Sequence, residues 1–224
     1  MKLFAICATL LFSVPLLAQE KMNQEIVDAY LKETGDHAAL FYSPIETPPS
    51  SALWINHPFW LTEELNVGDI QYDGILYKNV LMRINVASQN LVVATPITKL
   101  LVEPDMSKIE YFVLFNKRFE RKNGVIECIE WEKGDLKLWH RLTKKKGSDI
   151  VKDSRSYYSY DESNLYYVQD GSATYQVKKA KDVAKHYPQH KKQILKYVKD
   201  ESSYSSLDKI NRIIKALECV SSFK

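Results

Sequence analysis

The chain lacks the short signatures on which many enzyme classes rest. No glycine-rich phosphate loop, no G-x-S-x-G elbow and no H-E-x-x-H occurs, so P-loop nucleotide chemistry, α/β-hydrolase chemistry and zincin-type proteolysis have no anchor in it. Net charge is also scarce, because 31 basic residues face 28 acidic ones and leave only +3. Near-balance argues against a dedicated polyanion binder. Cysteine is scarce too, with Cys7, Cys128 and Cys219 too few for a disulfide framework. Beyond the first twenty residues there is no long apolar run, and a membrane-crossing helix needs about 20 apolar residues.

What is present begins with "MKLFAICATLLFSVPLLAQE". One lysine precedes an apolar stretch from Leu3 to Leu17 that ends at the small residue Ala18. That layout matches a secretory signal peptide over residues 1–18, with the exported chain starting near Gln19 and no transmembrane segment after cleavage. Cleavage discards Cys7, which lies too near the start to follow a lipoprotein-type apolar region. It also removes Lys2 and no acid, so 30 basic residues remain against 28 acidic and the charge falls to +2. Cys128 and Cys219 either pair in an oxidising compartment or serve as small buried apolar residues.

Along the rest of the chain the apolar period changes twice. Ile26, Val27, Tyr30 and Leu31, with Asn23 as a cap and Gly35 just past the end, predict a short amphipathic helix, and "SPIETPPSS" then reads as a linker. From Trp54 the period becomes two. Asp73-Gly74 supplies a type I′ turn between Ile70–Tyr72 and Ile75–Tyr77, and Val80, Met82 and Ile84 alternate with Leu81, Arg83 and Asn85. Short strands follow through "LKLWHRLTKK", which predicts an antiparallel meander over 52–145 with six to eight strands in all. Residues 146–163 are polar and without period, and are expected as a loop. Over 164–224 the sequence reads as a hairpin around Asp170-Gly171, then helices with Ile194, Leu195 and Val198 on one stripe and Leu207, Ile210, Ile213, Ile214 and Leu217 on the last, capped by Ser205 or Ser206.

Several constellations invite a chemical reading. His186 and His190 stand four apart, as in a helical zinc pair, but Pro188 between them disfavours one continuous helix and a shared face, so no metal site is expected there. From Ser172 onward twelve basic residues face five acidic ones, a local +7, so Lys192, Lys196 and Lys199 are candidates for contacting an acidic partner, an anionic glycan or lipid headgroups, against the plainer reading that they solvate a helix. Tyr157, Tyr158 and Tyr160 are candidates for stacking on sugars or anchoring a protein interface, against the plainer reading that tyrosine favours strands. Cys128 and His140 are the one thiol and imidazole in the expected sheet, and nothing in their spacing makes them neighbours. Glu127 and Glu130, at odd separation on one strand, face opposite sides. No catalytic residue and no cofactor is expected from these patterns.

The stretches "NHPFWLTEELNVGDIQYDGILYKNVLMRINVASQNLVV", "KIEYFVLFNKRFERKNG", "LKLWHRLTKK" and "YYVQDGSATYQVKKAKDVAKHYPQHKKQILKYVKD" together resemble a group of uncharacterised exported proteins of gram-negative bacteria. Their common order is a signal peptide, a G-x-x-x-Y-D-G-x-x-Y-x-N-V hairpin, a β-meander, and a hairpin with lysine-rich helices. The resemblance implies a location in the periplasm, at the outer membrane or outside the cell, and no known reaction. The expectation is therefore an α+β fold: a mainly antiparallel curved sheet, as a roll or open barrel, with a short N-terminal helix and two or three C-terminal helices. Its expected work is non-enzymatic binding of another envelope protein or a glycan, not of nucleic acid. An enzyme of unrecognised type, or a carrier holding a small apolar ligand against Met82, Ile84, Val92 and Phe112, are the alternatives.

Overall fold

The computed structural model describes residues 13–47, 53–204 and 207–224. Most of the leader read over 1–18, the paired prolines of the linker and the serines expected to cap the last helix lie outside them. The fold is α+β. Among the described residues there are thirteen strands, more than expected, and four α-helices. Twelve of these strands carry antiparallel pairings, five in one compact unit and seven in the other, and the strands of neither unit close on themselves. No helix among the described residues is long and apolar enough to cross a membrane.

Among the described residues the first unit comprises 13–47, 60–85 and 90–115. Its helix α1, Ser13–Thr34, starts upstream of Asn23 and stops where Gly35 takes a φ of 50°, a left-handed value that ends a helix. The strands β2 (Asn66–Tyr72), β3 (Ile75–Asn85), β4 (Asn90–Ala94), β5 (Leu101–Val102) and β6 (Ile109–Leu114) lie in the order β6-β2-β3-β4-β5. Asp73 and Gly74 have φ of 50° and 79°, the two positive values that a type I′ turn requires, and Tyr72 pairs with Ile75 across it. The expected alternation on β3 is present, with Val80, Met82 and Ile84 buried. Part of the expected linker is tied down: Ile45 bridges Val102, and Glu46 makes a 2.7 Å ion pair with Arg83.

Among the described residues the second unit comprises 53–59, 86–89, 116–204 and 207–224. Here β7 (Lys117–Lys122), β8 (Val125–Lys133), β9 (Leu136–Lys146), β12 (Tyr160–Asp170) and β13 (Ala173–Val177) lie in the order β13-β12-β9-β8-β7. The span expected as a loop is not one. It holds β10 (Ile150–Lys152), β11 (Arg155–Tyr158) and the start of β12, and β11 pairs in parallel with β1 (Leu53–Trp54). The pairing is legible only across the chain, because residues 150–156 are exposed on both faces and so carry no apolar alternation.

Three helices cover one face of this sheet. They are α2 (Ala180–His186), α3 (Lys191–Tyr204) and α4 (Lys209–Ser221). Val183, Ile194, Ile213 and Leu217 pack with Leu136 and Leu138 of β9, Tyr166 and Val168 of β12 and Val177 of β13. Each of these large apolar side chains contributes on the order of 1.5–3 kcal/mol by leaving water. Pro188 opens a single 3-10 turn, Pro188–His190, that leads into α3, as the missing amide hydrogen of proline favours. The last helix is capped by Asp208, whose carboxylate accepts from the Asn211 amide at 2.7 Å.

Candidate functional site

Antiparallel register in the second unit sets Cys128 of β8 directly opposite His140 of β9, and His140 opposite Tyr166 of β12. The three side chains therefore share the face turned toward the helices. Between Ile129 and Trp131 the pairing shifts, so Glu130 is the extra residue of a β-bulge. A bulge re-aims the side chain it carries. Glu130 also lies two residues from Cys128 and so on the same side of the strand, and its Oε1 stands 3.0 Å from His140 Nδ1 and 3.3 Å from Cys128 Sγ. Cys128 Sγ and His140 Nδ1 are 4.0 Å apart.

The second carboxylate oxygen, Oε2, takes the ammonium of Lys117 from β7. The far nitrogen of the imidazole, Nε2, lies 2.6 Å from Asn164 Oδ1, while the Asn164 amide nitrogen donates to Glu162 at 2.8 Å. With its amide protons committed, Asn164 presents its oxygen, so Nε2 carries the hydrogen and donates. Tyr166 stacks on the imidazole at 4.3 Å between ring centres. Burial opposes the charge of Glu130, but the hydrogen bonds from His140 and Lys117 outweigh it and hold the carboxyl at about 2. Burial, then the neighbouring Glu130 charge, pushes the Cys128 thiol far up. A thiol kept protonated in this way is a poor nucleophile.

The opposite face of the same strands is differently built. Glu127 is fully buried, its Oε1 accepting from the guanidinium of Arg141 and its Oε2 from the hydroxyl of Tyr167. Trp139 stacks on Tyr167 at 6.4 Å, donates from its indole nitrogen to Gln169 at 3.0 Å, and carries the ammonium of Lys122 3.1 Å above its ring. Above these lies a shallow groove of about 390 Å³ crossing β13, β12 and β9 to the turn after β7. Lys122, Asn123, Arg141, Tyr167, Gln169 and Gln176 contribute to its lining. Glu127 and Glu130 thus do face opposite sides, as their odd separation requires.

The residues singled out from the sequence fall elsewhere. Tyr157 and Tyr158 are half-buried on β11 and Tyr160 opens β12, with Lys146 Nζ 3.8 Å over the Tyr158 ring. Lys192, Lys196 and Lys199 are exposed along α3. His186 stacks on Tyr175 at 3.6 Å and His190 on Phe223 at 4.0 Å, so each imidazole has its own aromatic neighbour. Met82, Ile84, Val92 and Phe112 are all buried in the first unit. Cys128 and Cys219 are both buried free thiols. Sequence reading separated Cys128 from His140, gave Glu130 no role and passed over Lys117 and Asn164. Only the pairing register brings His140, Lys117 and Asn164 to Cys128, whereas Glu130, two residues along the same strand, shares its face by alternation. Comparison with known protein families, with characterised proteins and with solved structures finds no match for the chain.

Proposed function

We propose that the chain is an exported cell-envelope protein of gram-negative bacteria that acts by binding, with a glycan held in the groove across β13, β12 and β9. The groove carries this reading. It joins aromatic surface at Tyr167 to the planar polar groups of Asn123, Arg141, Gln169 and Gln176. Aromatic rings meet the C–H faces of sugar rings, and amide and guanidinium groups match their hydroxyls. Beneath, the Glu127–Arg141–Tyr167 bonds fix the lining before a ligand arrives, which lowers the ordering cost of binding. A stable protein interface buries about 800 Å² on each partner, an area that a groove of this size does not offer by itself. The sequence supports export through Lys2 and the apolar stretch up to Ala18, and the resemblance described above supports the envelope.

A glycan array probed with the purified chain tests the reading. The expected result is retention on a defined set of glycans, weakened about tenfold in N123G/Q176A, which keeps the positive φ at residue 123 and has the effect of losing two hydrogen bonds of about 0.7 kcal/mol each. Both residues are exposed, so the circular dichroism spectrum should not change. A silent array, or undiminished retention by the folded double variant, overturns it.

A further inference from the structure

The face of the sheet turned away from the groove carries a second site. We propose that Cys128 Sγ, Glu130 Oε1 and His140 Nδ1 bind a divalent metal ion of the zinc class, with a solvent-derived fourth ligand. A zinc ion bonded to sulfur at about 2.3 Å and to nitrogen or oxygen at about 2.0–2.1 Å with tetrahedral angles sets sulfur about 3.6 Å from each other ligand, and nitrogen and oxygen about 3.3 Å apart. The three distances in the structure are 4.0, 3.3 and 3.0 Å, so each donor lies within about 0.4 Å of its place before any ion is bound. Thiolate, imidazole and carboxylate together form a donor set that suits zinc better than magnesium or calcium, which take oxygen alone.

The surroundings of the three donors are an independent observation pointing to the same use. A metal-bound imidazole donates its other N–H to a fixed acceptor, and a metal-bound carboxylate is itself hydrogen-bonded. His140 Nε2 donates to Asn164, which is held in turn by Glu162, and this leaves Nδ1 as the nitrogen facing the thiol and the carboxylate. Glu130 divides its oxygens: Oε2 takes Lys117 and Oε1 faces the other two donors. Lys117 can therefore remain in place when Oε1 binds an ion. Tyr166 fixes the plane of the ring by stacking. On binding, the metal–sulfur bond forms as the Cys128 S–H bond breaks, and the metal–nitrogen bond forms as Nδ1 gives up the proton it shares with Glu130; both protons leave to solvent and no redox change is involved. The site stands apart from the groove, so its fate and that of the glycan reading are independent.

The test is a titration of the full chain, stripped with EDTA, by cobalt(II), a spectroscopic substitute for zinc. The expected result is an intense thiolate-to-cobalt charge-transfer band saturating at one cobalt per chain and abolished by added zinc. The band should vanish in C128S and persist in C7S and C219S. N164A, changed at an exposed residue that meets the imidazole at its far nitrogen and otherwise holds Glu162, should keep the band but weaken cobalt binding about 10- to 100-fold. Absence of the band in the folded wild-type chain overturns the proposal, as does a band lost in C7S or C219S instead. Cobalt affinity unchanged in N164A would contradict the assigned ligand nitrogen, whatever the folding of C128S.

Discussion

Replacing Arg141 by methionine leaves a buried carboxylate without its cation. Glu127 has no exposed side-chain surface, and its two oxygens are shared between the Arg141 guanidinium and the Tyr167 hydroxyl. Removing one partner of a fully buried ion pair costs about 3–5 kcal/mol, mainly because the remaining charge keeps its desolvation penalty. Two features reduce that here. Tyr167 still donates to Oε2, and Arg141 itself is 30% exposed, so water reaches the vacated side. The expected loss for R141M is therefore about 2–3 kcal/mol, below the range for a sealed pair. The double variant E127Q/R141M removes the charge as well as its partner, and should recover about half of that loss. Urea unfolding followed by far-ultraviolet circular dichroism measures both, provided the slope with denaturant stays constant. A loss under about 0.5 kcal/mol for R141M, within the scatter of ordinary surface substitutions, would refute the reasoning, and so would a double variant less stable than R141M.

Three further outcomes follow from the second unit. Asn123 and Gly124 turn the chain between β7 and β8 with φ of 52° and 81°, and a Cβ on Gly124 would meet open space, so G124A isolates the backbone cost of about 1–2 kcal/mol; a neutral result in urea unfolding would refute the positive-φ turn. Asp182 accepts from the Lys178 amide at 3.0 Å and the Lys179 amide at 3.1 Å at the start of α2, and these bonds, the Lys178 amide foremost, hold its pKa below the usual 3.8. A depressed carboxyl stabilises the fold above its unfolded pKa and ceases to as pH falls through the folded one, so D182A should cost about 1 kcal/mol at neutral pH and nothing well below pH 3. Equal differences at both pH values would contradict that role. Ile213, fully buried among the three helices and the sheet, should cost about 2–5 kcal/mol when cut to alanine, read by the same denaturant midpoint.

Much of the fold could be read from the sequence because local rules decide it. The Asp73-Gly74 turn, the alternation on β3 and the apolar stripes of α3 and α4 each follow from residues near one another, and all are present. The extent of α1 was not legible, because nothing in "SVPLLAQEKMN" marks where a helix begins. Strands β10 and β11 escaped notice for a related reason. An exposed ribbon has no buried face, so its side chains carry no period of two. The chemistry was least legible. Cys128 and His140 meet through register, a property of two strands together, whereas Glu130 shares the face of Cys128 through the period of two along β8. Arg141 and Tyr167 reach Glu127 from neighbouring strands, again through register.

Nitrogen-edited NMR of the isotopically labelled chain, titrated with a glycan retained on the array, tests the groove most directly. The account predicts shift changes gathered at Lys122, Asn123, Gln169, Thr174 and Gln176, saturating together. Changes gathered instead at Tyr157, Tyr158 and Tyr160, or along Lys192, Lys196 and Lys199 on α3, with the groove residues unmoved, would contradict it.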